Sequence, residues 1–228
     1  MTKTSRPSPS PDRGEFAQLC GWLAIACCCI SAIAVLVADF IVSDNDMVAD
    51  TISAMAAGPN MWVAEIGIYA FAFSFMALGL GAAAAHPGGW QWSLATFGFV
   101  ALGVIVFLIG FRDEYGDGDR MTSEAVHMEL VYTLAAVLAL STWLASLGGK
   151  AIDRTIATHL SAMAIVWSLC APIFVFLPTA YDGLYERFLG ALAIAIVVSV
   201  SRLLLLSRQT VSDGADDPGL PDTSLGTA

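Results

Sequence analysis

Apolar residues fall into six long runs separated by short polar segments: Leu19–Val42, Met61–Ala85, Trp90–Phe111, Ala125–Leu147, Thr155–Leu177 and Leu184–Leu206. A hydrocarbon core about 30 Å thick needs about 20 residues at 1.5 Å each, and every run meets that length. Lipid offers no partner to a free backbone N–H or C=O, so each run is predicted to be a helix. The pattern predicts an all-α membrane protein built as a bundle of six transmembrane helices. Its expected organisation is a disordered tail over 1–17, a six-helix domain over 18–207 and a disordered acidic tail over 208–228.

The tails differ from the runs in kind. Ser5–Asp12 alternates serine and proline, which favours an extended, solvated tether. Ser212–Ala228 is acidic and rich in Gly and Pro, with little apolar surface to bury. The polar stretch ahead of the first run, and the length of that run, predict a retained helix rather than a cleaved secretory signal.

Composition agrees with the pattern. Hydrophobic residues make up 57% of the chain and charged residues 13%, about half the charge of an average soluble chain. The mean hydropathy is +0.72. The net charge of −10 is less informative than its placement. Lys3, Arg6, Arg13, Lys150, Arg154, Arg202 and Arg208 lie on one side of the predicted membrane; Arg112, Arg120 and Arg187 lie on the other, with 13 of the 20 acids. Positive charge in short loops marks the cytoplasmic side, so both termini are expected in the cytoplasm. Ser43–Asn60, Arg112–Glu124 and Pro178–Gly183 then face out, and His86–Gly89 and Gly148–Arg154 face in. The low lysine count (two, against eight arginines) and abundant alanine suggest a GC-rich bacterial genome. The expected location is the bacterial plasma membrane.

The five cysteines all lie in apolar runs, and three of them, Cys27, Cys28 and Cys29, are consecutive. Consecutive helical positions point about 100° apart and cannot converge on one metal, so these residues are expected to pack as small apolar side chains. His86, His127 and His159 are single residues at the ends of runs and do not form the facing pairs of a haem site. No Walker loop, HExxH, GxSxG or dinucleotide-binding glycine pattern occurs, so no motif indicates a cofactor. No basic patch interleaved with aromatics suggests a nucleic-acid partner.

Chemistry is expected at the outer end. Ionisable groups in or near an apolar run are expensive and point to function by default. Asp39 lies in the last turn of the first run. Asp50 and Ser53 follow it, and Glu65 lies one turn into the second. Arg112, Asp113 and Glu114 close the third run. Glu124 and His127 open the fourth on a shared helix face, from which Glu129 points away. Tyr181, Asp182, Glu186 and Arg187 gather at the start of the sixth. Asp50, Ser53, Glu65, Asp113, His127, Glu186 and Arg187 are the candidate ligand-binding residues. Asp113 and His127 are also the candidates for a metal site or for catalysis.

Structural roles stand beside these functional ones. Asp50 or Ser53 can cap a short interfacial helix. Glu124 suits a helix start. Arg187 can neutralise Asp113 or Glu65. As a metal ligand, His127 lacks the usual second histidine nearby. Ala77, Gly81 and Ala85 recur at four-residue spacing and would admit a close helix neighbour. Pro172 is expected to kink the fifth run near its middle, and Pro178 to end it. Trp90 and Trp92 suit one membrane interface, and Trp62, Tyr69 and Tyr181 suit the other.

The stretch Asp50–Gly81 (DTISAMAAGPNMWVAEIGIYAFAFSFMALGLG) resembles the early region of the domain-of-unknown-function 998 family of bacterial membrane proteins. In that family an acidic residue, Ile-Ser, a run of small residues and a Pro precede the second helix. Ile109–Asp113 (IGFRD), His127 at the next helix start and the pair Glu186–Arg187 continue the resemblance. Arg112 departs from it, standing where a proline often precedes the Asp. The resemblance covers about Leu19 to Leu206. It implies a six-helix bundle, supplies no activity, and singles out Ser53, Asp113, His127 and Arg187.

Three functions are consistent with this sequence. The first is a non-enzymatic small transporter or lipid-interacting accessory protein, whose outward-facing polar cavity binds a cation, a proton or a lipid head group. The second is a metal-dependent intramembrane hydrolase using Asp113 and His127. The third is a structural membrane subunit. The bilayer is the expected partner in all three.

Overall fold

The computed structural model describes residues 11–42, 45–56, 61–111 and 120–207, without the side chains of 11–12 and 120–125. Among these residues every regular element is a helix. The helices are α1 (Pro11–Ile41), α2 (Ile52–Met55), α3 (Trp62–Ala85), α4 (Trp90–Phe111), α5 (Arg120–Gly149), α6 (Arg154–Cys170) and α7 (Asp182–Leu206). Two 3₁₀ segments, Ala171–Phe176 and Thr179–Tyr181, join α6 to α7. Six elements are long and apolar enough to cross a membrane: α1, α3, α4, α5, α7, and α6 with the first 3₁₀ segment. Their outer surfaces carry Phe40 at 83% exposure, Phe97 at 73% and Phe176 at 84%. So much bare aromatic surface is out of place in water and suits lipid contact. The chain is a multi-pass membrane protein.

The spans match the apolar runs with three differences in detail. α1 begins at Pro11, so residues 11–17, expected as tail, form its first two turns. α5 begins at Arg120, ahead of the expected Ala125. The third concerns Pro172, which sits where α6 gives way to 3₁₀ turns, near one end of its span and not at the middle. Proline lacks the N–H that would extend the α-helix. The Tyr185 hydroxyl donates to the Cys170 carbonyl at this junction (3.0 Å). Leu177, extended ahead of Pro178, ends the 3₁₀ segment.

The spans form a ring in chain order. α1 packs on α3, α3 on α4, α4 on α5, α5 on α6 and α6 on α7, and α7 closes back on α1. Small residues set the close approaches. A Cβ on Gly81 would lie 2.6 Å from Leu204 Cδ1 and 2.8 Å from Cys20 Cβ, so the stripe Ala77–Gly81 is where α3 receives α1 and α7. Gly98 on α4 is likewise filled by Ser141 of α5. The core runs through Phe75, Phe99, Leu138, Leu160, Ile196 and Leu203.

At the end where α3 meets α4, Trp92 is 1% exposed and donates its indole N–H to the Ala82 carbonyl (2.8 Å). It is a core residue, contrary to the expected interfacial belt. Gly148 leaves the space it needs: a Cβ there would come within 2.9 Å of Trp92 Cβ. Trp90, its neighbour, is exposed as expected. The consecutive cysteines point three ways, Cys28 buried, Cys27 intermediate and Cys29 exposed, and all are free thiols.

Candidate functional site

The opposite end of the ring carries the polar cluster. Arg187, one turn and a half into α7, reaches across to the last turn of α1. Its Nη2 pairs with Asp39 Oδ1, and its Nε donates to Asp39 Oδ2 at 3.2 Å. Nη1 donates to the carbonyls of Asp50 (2.9 Å) and Gly183 (2.8 Å). Met55 Sδ lies 3.7 Å from Nη2. The Asp39 side chain has no exposed surface, and its Oδ1 also accepts from Asn45 Nδ2 at 3.2 Å. A charge in this position is tolerated only when paired, and here guanidinium and carboxylate meet in bidentate fashion. Of the expected partners, Glu65 is not the one, and Asp113 lies outside the described residues; among these Arg187 pairs with Asp39.

The same residues hold the connection between α1 and α3 in place. Ile52 N–H donates to Glu186 Oε2 (2.6 Å), and Leu184 N–H donates to the Val48 carbonyl (3.0 Å). Gly183 is required where the backbones cross, since a Cβ there would overlap the Asp50 carbonyl. The short helix α2 is capped by Thr51, whose Oγ1 accepts from Ala54 N–H at 3.1 Å. That replaces the expected cap by Asp50 or Ser53. The Asp50 carboxylate instead accepts from Asp46 N–H (2.8 Å) and stabilises the preceding turn.

Beneath this pinned segment lies a cavity of about 460 Å³ to which all six spans contribute. That volume falls within the range of about 300–1,000 Å³ common to small-molecule sites. Its polar rim includes Ser53, Glu186, Arg187, His127 and Tyr132; deeper in, the wall is apolar, with Phe75, Leu138, Trp167 and Ile194. From Asp39 to Ser31 on α1, and from His127 to Leu138 on α5, the lining descends roughly 12–16 Å at 1.5 Å per residue. That is about half the hydrocarbon thickness of a bilayer.

His127 is 5% exposed, and its Nδ1 is buried with no hydrogen-bond partner among the described residues. A buried polar atom left unpaired is costly, so it calls for a partner from outside the described side chains. Glu129 points outward and is exposed. Glu65, in the first turn of α3, is half-buried and does not line the cavity. Asp113, with Arg112 and Glu114, lies outside the described residues, as does the Glu124 side chain. Among the described residues no three His, Cys, Asp or Glu side chains gather where they could hold a metal ion.

Of the seven candidates, the structure brings Ser53, His127, Glu186 and Arg187 to one cavity. Asp50 stands beside it, contributing its carbonyl, and Glu65 stands apart. Residues missed as site members are Asp39, Asn45, Thr51, Tyr132 and Trp167. For Asp39 a signal existed: an acid in one span and an arginine in another, at the same end, are each too expensive alone. The others sit at ordinary interfacial or core positions, and nothing local distinguishes them.

A protein-family model described as "Protein of unknown function (DUF998)" matches residues 25–203. The chain belongs to that family. The match takes in Asp39, Ser53, His127, Glu186 and Arg187, so the cavity lies wholly within the family region. Neither the curated proteins nor the solved structures give a significant match.

Proposed function

We propose that this DUF998 protein is a non-enzymatic multi-pass membrane protein that binds a lipid-like molecule in the cavity between its six spans. The observation that carries this reading is the division of the cavity wall, polar at the α2 end and apolar over the next half-bilayer of depth. A free inorganic cation or a proton has no use for that apolar depth, whereas an amphiphile fills both parts. The binding is of the kind expected of a lipid-interacting accessory protein or a small lipid transporter. The positive-charge distribution supports a placement with both termini cytoplasmic and the α2 end outward, in a bacterial plasma membrane.

Gly190 supplies the test. It lines the cavity on α7, and a Cβ there would meet nothing within 4 Å. Gly190→Phe should fill the space without disturbing the helix contacts. In native mass spectrometry after gentle detergent release, wild-type protein should carry about one lipid-mass adduct per chain, and Gly190→Phe should carry none at an unchanged unfolding temperature. Equal occupancy in both proteins would contradict the proposal.

A further inference from the structure

We infer that the occupant of this cavity has an uncharged head group that both donates and accepts hydrogen bonds, such as the hydroxyls of a monoacylglycerol, and that His127 binds it. This inference rests on the proposal that the cavity is a ligand site, and adds the chemistry of the head.

The charged side chains at the rim are already engaged, Arg187 and Asp39 with each other and Glu186 with a backbone N–H. Arg187 has five N–H groups. Its Nε and Nη2 serve Asp39, the two Nη1 contacts go to the carbonyls of Asp50 and Gly183, and Met55 Sδ lies against Nη2. A phosphate or carboxylate ligand would have to draw the guanidinium off Asp39, leaving that buried carboxylate without its counter-charge. Asp39 is equally unable to serve a cation. Oδ1 accepts from Arg187 and Asn45, Oδ2 accepts from Arg187, and the side chain has no exposed surface. Glu186, which lines the rim, is engaged by the Ile52 N–H at 2.6 Å.

The buried rim atom left without a partner among the described residues is neutral. His127 Nδ1 is buried and unpartnered among the described residues, and the ring lines the cavity along with Ser53 and Tyr132. A neutral imidazole carries one donor and one acceptor, the same complement as a hydroxyl, so the two satisfy each other in either tautomer. Below His127 the wall becomes apolar toward Leu138 and Trp167, which places the head at the imidazole and the chain along α5. In a low-dielectric site such a hydrogen bond contributes to selectivity as well as affinity, because an analogue that cannot form it leaves the imidazole unpaired.

The inference is tested with three probes of one chain length: 1-monolauroylglycerol, dodecanoate and dodecyltrimethylammonium. Each displaces a fluorescent monoacylglycerol analogue from the full chain in nanodiscs. The monoacylglycerol should bind at least about tenfold more tightly than either ion. His127→Phe should weaken it about tenfold, the scale of one lost hydrogen bond, and leave unchanged the trimethylammonium probe, which has neither donor nor acceptor for the imidazole. His127→Gln, which keeps a donor and an acceptor, should recover most of the loss. If an ionic probe binds as tightly as the monoacylglycerol while Gly190→Phe blocks all three, the head-group inference is overturned and the cavity proposal survives. If Gly190→Phe leaves all three unchanged, the cavity proposal fails and this inference with it. The ranking in wild-type protein decides the matter even if a histidine variant does not fold.

Discussion

Arg187 and Asp39, 148 positions apart in the chain, form a bidentate ion pair that closes the ring of spans between α7 and α1. The Asp39 side chain is wholly enclosed, and the Arg187 side chain nearly so. Removing one partner strands the other, which typically costs about 3–5 kcal/mol, whereas replacing both by apolar residues of similar size is often close to neutral. Arg187→Met and Asp39→Leu should each lower the unfolding free energy by about that amount in bicelles. The double variant should recover a large part of the loss. A double variant whose loss equals the sum of the singles would show that the two charges act independently.

Arg187 also binds the Asp50 carbonyl, and Gly183 makes room for it. Gly183→Ala pushes a methyl into that carbonyl and should lift the segment 45–56 off α7 while the spans stay folded. A cysteine placed at Thr51, half-buried in the wild type, should then react with a water-soluble maleimide several-fold faster, while unfolding shifts by about 1–3 kcal/mol. Unchanged labelling would mean that the segment does not depend on this crossing.

Within the ring, Gly98 and Ser141 interlock across α4 and α5 so closely that a methyl on Gly98 overlaps the serine hydroxyl. Gly98→Ala should be destabilising by about 1–3 kcal/mol through overpacking. Adding Ser141→Gly returns the space and should restore most of the stability. Failure of that rescue in a thermal melt would show that the clash is relieved elsewhere.

Topology yields a separate prediction. With seven positive residues on the side of the tails and three on the side of α2, an alkaline phosphatase fused after Leu206 should be inactive in a bacterial host. A green fluorescent protein at the same point should fluoresce. The reverse pair of results would place the cavity's polar rim on the cytoplasmic side.

The six spans were legible in the sequence because hydropathy over 20 residues reports the one demand that lipid makes on a backbone. Their boundaries shifted only where local chemistry competes with hydropathy. Pro172 forces 3₁₀ turns, and the polar starts of α1 at Pro11 and α5 at Arg120 continue helices that apolar counting begins at Leu19 and Ala125. The site was legible in part. His127, Glu186 and Arg187 stood out as polar residues at the ends of apolar runs and Ser53 in the connection between the first two, and the cavity gathers them. The pairing of Arg187 was not, since several acids share that end and only the packing of α1 on α7 selects Asp39. Trp92 was misplaced for a similar reason. A tryptophan near a span end suits the interface or the core equally well, and the glycine pair Gly148 and Gly149 at the far end of the neighbouring helix α5 decides for the core. The cavity itself has no local signature, because it arises where six apolar helices leave space, as at Gly190.

The central claim is that an alkyl chain occupies that space, and photolabelling addresses it most directly. Full-length protein in nanodiscs is irradiated with a monoacylglycerol carrying a diazirine in its chain, and the labelled peptides are mapped. Inward-facing positions should dominate, such as Val131, Leu138, Leu189 and Ile194, and Gly190→Phe should abolish their labelling. Label confined to lipid-facing residues such as Phe97 and Phe107, and unaffected by Gly190→Phe, would contradict the claim.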